Sequence, residues 1–180
     1  MTDLAQFKPK TSYVTYIDAP LEKVWQTLID PAFTKQYFFG FAIDIDARSG
    51  GTFRLLAPDG STHVTGNVLE WSPPHRLCVT WSVRGMKDFD ELPECVVSYD
   101  VAQSGGSVRL TMTESHSWDV PEAILKGGQS GWPQILSSLK SLLETGKPLA
   151  ITAGMPDGFT DAVKKAVAEK PWLRTTAGLR

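Results

Sequence analysis

"GGQSGWPQILSSLKSLLETG", residues 127–146, decides the fold of this 180-residue chain. At about 100° per residue, Trp132, Ile135, Leu136, Leu139, Leu142 and Leu143 fall within an arc of roughly 120°. Ser137, Ser138, Lys140, Ser141 and Glu144 take the other side. The spacing predicts an amphipathic helix. Pro133 is expected in its first turn, where a missing N–H costs nothing, and Gly146 is placed to end it. Gly127, Gly128 and Gly131 are expected to turn the chain back from the preceding strand. A helix with one apolar face must lie on something, and the rest of the chain has to supply it.

That surface reads as a sheet. "TSYVTYI" (11–17) is a strand by its β-branched and aromatic content. "DAPLEKVWQTLID" then places Leu21, Val24, Trp25, Leu28 and Ile29 at helical spacing, with Pro20 at the first position and Asp18 as the expected cap. Asp30-Pro31 stops this helix and starts a second short one, "PAFTKQYF". From there apolar residues alternate with polar ones, in strands near 41–45, 52–56, 63–71, 77–83, 94–101 and 108–116. The separators "RSGG", "PDGS", "SPPH" and "QSGG" are turn chemistry, whereas "RGMKDFDELP" (84–93) is a longer polar loop. Six strands with short links argue for an antiparallel meander. Strand, two helices, six strands and a long helix make an α+β architecture.

Composition narrows the function classes. A net charge of −2 gives no basic field for nucleic acid or an anionic membrane. No apolar run reaches the roughly 18 to 20 residues of a membrane span. "MTDLAQFKPK" has no apolar core of a secretory signal, so a cytoplasmic protein is expected. Cys78 and Cys95 sit in apolar strands, as small buried hydrophobes do. His63, His75 and His116 lack metal-site spacing to a carboxylate or thiolate, and no phosphate-cradling loop or serine nucleophile elbow is present. No metal and no cofactor are expected.

The segments "VTYIDAPLEKVWQTLIDP", "GGTFRLLAPDGSTHVTGNVLEWSPPHRLCVTW", "VRLTMTESH" and "GWPQILSSLKSLLETG" resemble the Hsp90-ATPase-activator-homologue-like branch of the START/Bet v 1 (SRPBCC) superfamily, over about residues 11–146. The resemblance rests on their order, since no single motif is diagnostic. It implies a helix-grip fold: a curved seven-stranded antiparallel sheet wrapped around the long C-terminal helix, with a deep cavity between them. It implies binding of, or action on, lipids, sterols, polyketides or aromatic compounds. Fold alone does not fix which.

If the helix crosses the concave sheet, strand alternation nominates the cavity residues. Leu77, Val79, Trp81 and Val83 share a face; so do Val97, Tyr99 and Val101. On the last strand Val108, Leu110, Met112, Glu114 and His116 begin apolar and end charged. Glu114 and His116 are suited to orient a ligand or to act as an acid/base pair, unless the strand end simply leaves both in water. "KQYFFGF" gathers Tyr37, Phe38, Phe39 and Phe41 where the second helix meets the sheet, which the resemblance places at the cavity entrance. The expected ligand-binding set is Tyr37, Phe38, Phe41, Trp81, Tyr99, Met112, Glu114, His116, Trp132 and Leu136, with no catalytic residue assigned. Arg54, within "TFRLL", either reaches solvent from the outer face or pairs with a carboxylate.

Residues 1–146 are thus read as the helix-grip unit and 147–180 as a C-terminal extension. Phe159, Ala162, Val163, Ala166 and Val167 form a helical stripe in the extension, ended by Pro171. Six basic against three acidic side chains give the extension +3, leaving −5 for the rest. A basic tail on an acidic body docks on its own domain or on a neighbouring subunit, as in a homodimer. The expected function is binding of one small, largely hydrophobic molecule without a cofactor. The alternatives are a polyketide cyclase or aromatic-transforming enzyme using Glu114, His116 or Tyr99, and a co-chaperone-like module that engages a protein partner.

Overall fold

The computed structural model describes residues 3–85, 87–153 and 160–173. The strands are β1 (Lys8–Ile17), β2 (Ala42–Ile45), β3 (Thr52–Leu56), β4 (Thr62–Ser72), β5 (Arg76–Val83), β6 (Cys95–Ser104) and β7 (Ser107–His116). They form one antiparallel sheet in the order β1-β7-β6-β5-β4-β3-β2. The expected meander runs from β2 to β7, and β1 closes it by pairing with β7 from Ile17↔Val108 to Lys8↔His116. Glycine is required where the strands crowd. A Cβ on Gly66 of β4 would lie 1.8 Å from the Thr80 carbonyl oxygen of β5.

Helices α1 (Leu21–Ile29) and α2 (Pro31–Tyr37) fill the β1–β2 connection. Asp30 caps α2 as expected, its Oδ1 accepting from the Ala32 N–H at 2.8 Å. Asp18 does not cap α1. The residue before that helix is Pro20, with no side-chain cap, and the Asp18 N–H donates instead to Glu144 Oε1 at 2.8 Å. The intervening Ala19-Pro20 carries Asp18 past the helix entrance.

The gripping helix, α3, spans Glu122–Thr145 and packs on the sheet with Ile135, Leu136, Leu139 and Leu142 buried. Gly146 ends it in the left-handed region at φ 76°. Its start differs from expectation. Helix begins ten residues before Trp132, so Gly127, Gly128, Gly131 and Pro133 lie inside it, and the turn from β7 falls in 117–121 with Pro121 at the helix entrance. Buried Ile124 and Trp132 anchor this first half on either side of the glycines, and that packing outweighs their poor helix propensity.

Two apolar clusters result. The main one joins Ile17, Val24, Phe53, Leu77, Val97, Leu110, Met112 and Leu139 between sheet and helices. The second gathers Phe89, Trp118, Val120 and Ile124 with Val163 and Ala166 of α4 (Thr160–Glu169). The extension therefore docks on its own chain, with Lys170 paired to Glu91 at 3.3 Å. Phe159 of the expected stripe lies outside the described residues, as does any structural statement about the Ala162 side chain. Arg54 does both things expected of it, standing half-exposed and pairing with Asp44. Among the described residues no helix is long and apolar enough to cross a membrane.

Candidate functional site

Between the concave face of β5–β7 and the first half of α3 lies a cavity of about 400 Å³. The sheet contributes Trp81, Val83, Cys95, Val97, Glu114 and His116. The helix contributes Ile124, Gly127, Gly128, Gly131 and Trp132. Phe89, Leu92 and Pro93 of the 84–93 loop form a third wall, and Trp118 a fourth. The register explains the floor. Val97 faces Glu114 and Val96 faces Ser115, so with alternating side chains Cys95, Glu114 and His116 all point to the concave side.

The glycines acquire a role the sequence did not reveal. A Cβ on Gly131 would meet nothing within 4 Å, and one on Gly128 would lie 3.5 Å from Glu114 Oε2. Larger side chains at these positions would occupy the space the cavity now holds. The glycines thin the helix where it passes over the cavity; they do not form the turn.

Glu114 and His116 are not solvated at a fraying strand end. Their side chains are 17% and 8% exposed, and His116 Nε2 donates to Glu114 Oε1 at 2.7 Å. The other carboxylate oxygen, Oε2, accepts from Trp132 Nε1 at 2.9 Å. His116 Nδ1 and Trp118 Nε1 are buried without a protein hydrogen-bond partner. Burial and the Glu114 charge push the Cys95 thiol well above its ordinary range. Around this polar spot the walls are aromatic. Trp132 packs 5.5 Å from Trp81 and edge-on to Phe38 at 5.7 Å, and Trp118 packs edge-on to Trp172 at 5.3 Å.

Of the ten expected ligand residues, Trp81, Glu114, His116 and Trp132 line this cavity. Phe38 and Phe41 line a smaller adjoining pocket of about 120 Å³, together with Trp81, Gly131 and Trp132. Tyr37, Tyr99, Met112 and Leu136 line neither, and all four are buried. Burial pushes the Tyr37 and Tyr99 phenols up, and Tyr37 donates to the Thr27 carbonyl at 3.1 Å. Cavity residues missed from sequence include Phe89, Cys95 and Trp118, and Phe39, placed at the entrance but left out of the expected ligand set, lines the cavity too. Phe39 holds φ at 52°, a strained setting for a bulky residue, and its ring lines both pockets. The apolar residues within the polar 84–93 loop were the available signal for Phe89.

A curved sheet gripping a long helix over one aromatic-walled cavity defines a helix-grip protein. The family model described as Activator of Hsp90 ATPase homolog 1-like protein matches residues 18–144, and this chain belongs to that family. Among solved structures, CalU16 from Micromonospora echinospora superposes with TM-score 0.60 at 22% identity, covering 91% of this chain and 85% of that one. DynU16, a protein of the dynemicin biosynthetic locus, gives 0.65 at 26%, covering 77% and 48% respectively. The Aha1 dimer from Colwellia psychrerythraea gives 0.58 at 19%, covering 76% and 96%. No curated protein matches the chain.

Proposed function

We propose that the protein binds one small, largely hydrophobic molecule in the cavity between β5–β7 and α3. The observation that carries this reading is the cavity itself. It has about 400 Å³ of space walled by Phe89, Trp81, Trp118, Trp132 and Ile124, with one polar spot at Glu114–His116. Pockets of this size with apolar walls and a few convergent polar groups suit small organic ligands. The flat walls favour a planar or aromatic body, and the polar spot favours one hydrogen-bonding group at its end. The resemblance to DynU16, a protein of the dynemicin biosynthetic locus, supports the same reading.

In this reading Phe38, Phe41, Trp81, Glu114, His116 and Trp132 touch the ligand, whereas Tyr37, Tyr99, Met112 and Leu136 support the walls from behind. Residues 1–146 hold the cavity and the extension covers one end of it through Trp118 and Ile124. Cys78 and Cys95, free and buried, fit the cytoplasmic setting of this reading. The Colwellia dimer supports a homodimer, for which Val14 and Tyr16 supply exposed apolar surface on β1.

A second reading, acid/base chemistry on the bound molecule, is favoured by one observation: Glu114 and His116 share a hydrogen bond inside the cavity. Native mass spectrometry of protein purified from its own host tests the first reading. A retained molecule of a few hundred daltons, released by denaturation, is expected. Bare protein that also fails to take up any apolar compound from a panel would overturn it.

A further inference from the structure

We propose that the cavity floor is a binding site for a divalent cation of the zinc class, held by Cys95, Glu114 and His116 with the remaining coordination open to the cavity. The inference stands apart from the organic ligand proposed above. One ligand atom from each of the three residues lies within 4.8 Å of the other two. Atoms bonded to one tetrahedral zinc at about 2.0 to 2.3 Å sit roughly 3.3 to 3.8 Å apart. Forming the site requires side-chain rotations that draw Cys95 in and, where Nε2 and Oε1 are the ligand atoms, open their 2.7 Å contact. The three come from two neighbouring strands, with Val97 paired to Glu114 and Val96 to Ser115, so the sheet register itself holds them together. Cys95 and Glu114 are 19 positions apart, which is why no spacing motif betrays the group.

The donor set selects the cation. Thiolate with imidazole and carboxylate suits zinc and its borderline-soft neighbours, whereas magnesium and calcium prefer all-oxygen shells. Three protein ligands with an open position facing a cavity is the composition of zinc sites that take a further ligand. Charge agrees. Neutral imidazole with thiolate and carboxylate carries two negative charges, which a divalent ion cancels in a site where charge is costly. Lys126, the one basic side chain in the described wall, is committed to Glu122 at 2.9 Å.

The surroundings already orient the ligands. Trp132 Nε1 holds Glu114 Oε2 at 2.9 Å and fixes the carboxylate. His116 Nδ1 has no protein partner and Nε2 has only Glu114, so a ring nitrogen reaches the ion without breaking any bond to the rest of the fold. Cation binding releases the Cys95 thiol proton to solvent, and if Nε2 is the ligand nitrogen the imidazole stays neutral by carrying its proton on Nδ1 instead.

Cobalt(II) titration of the reduced, metal-stripped full chain tests the site, because a cobalt–thiolate bond gives a near-ultraviolet charge-transfer band. The expected result is one cobalt per chain with that band, displaced by zinc. The chain has two cysteines, so the band should survive Cys78→Ser and vanish in Cys95→Ser or Cys95→Ala. Glu114→Gln and His116→Ala should each weaken binding at least about tenfold. Absence of the band in the unmodified chain overturns the site even if the variants fail to fold. So does a band lost in Cys78→Ser, or one indifferent to both Glu114→Gln and His116→Ala.

Discussion

Trp132 of α3 and Glu114 of β7 are joined at 2.9 Å, indole N–H to carboxylate oxygen, at the edge of the cavity. This bond ties the first half of the gripping helix to the sheet, where the glycines give the helix little else to pack with. Trp132→Phe removes the donor and leaves a buried carboxylate oxygen unpaired, a loss of about 1 to 3 kcal/mol in stability. A double-mutant cycle with Glu114→Leu, which leaves the indole no acceptor, read by denaturant unfolding, should show coupling of about 0.5 kcal/mol or more. Additive losses would mean that the bond contributes nothing.

Leu136 is 4% exposed in the middle of the helix's apolar stripe. Leu136→Ala should cost about 2 to 5 kcal/mol. A loss below about 0.5 kcal/mol, typical of surface sites, would contradict the packing of α3 on the sheet.

His63 stacks on Phe41 with ring centroids 4.2 Å apart and planes 1° from parallel, and burial lowers its pKa from the ordinary 6.5. The unfolded chain takes up this proton near pH 6.5 and the folded chain only at lower pH. Stability from this group is therefore complete above pH 6.5 and is lost as pH falls toward the folded value, by at most about 1.4 kcal/mol per pH unit. Unfolding curves of the original chain and of His63→Gln, compared from pH 7.5 downward, should converge as the pH drops. A constant difference would show that the neutral imidazole is not favoured by folding.

The two halves of α3 should exchange amide hydrogens at different rates. In Glu122–Gly131 only Ile124 is buried, with three glycines around it. The second half buries Ile135, Leu136, Leu139 and Leu142, and Lys140 and Glu144 tie it to the Tyr16 carbonyl and the Asp18 N–H. Local opening follows contact density, so residues 122–131 should exchange faster and gain protection when an apolar ligand is bound. Equal exchange along the helix, or protection unchanged at confirmed occupancy, would contradict this.

The sheet was legible because its signals are local. β-Branched and aromatic content placed the first strand and alternation the other six to within a few residues, Asp30-Pro31 marked the start of α2, and Gly146 marked the end of α3. The start of α3 was not legible. Gly127, Gly128, Gly131 and Pro133 each argue against helix on propensity, and only the tertiary setting of Ile124 and Trp132 overrides them. Strand alternation found Trp81, Glu114 and His116, and the helical stripe found Trp132. Strand alternation also nominated Tyr99 and Met112, which share that inward face but are buried in the main core and line neither pocket. Which inward residues meet the cavity depends on where the helix thins, and that is a property of the assembled layers. The Cys95–Glu114–His116 group was hidden for a related reason, since it exists only once β6 and β7 are in register.

The space beneath the glycines of α3 should receive a small apolar molecule. Titration of an apolar fluorescent probe into the original chain and into Gly131→Leu measures it most directly. A Cβ at position 131 meets nothing within 4 Å, and leucine has the better helix propensity by about 0.8 kcal/mol, so the variant should fold with equal or greater stability. One probe per original chain is expected, with at least tenfold weaker binding to Gly131→Leu, about 1.4 kcal/mol. A folded variant that binds the probe as well as the original chain does would contradict it.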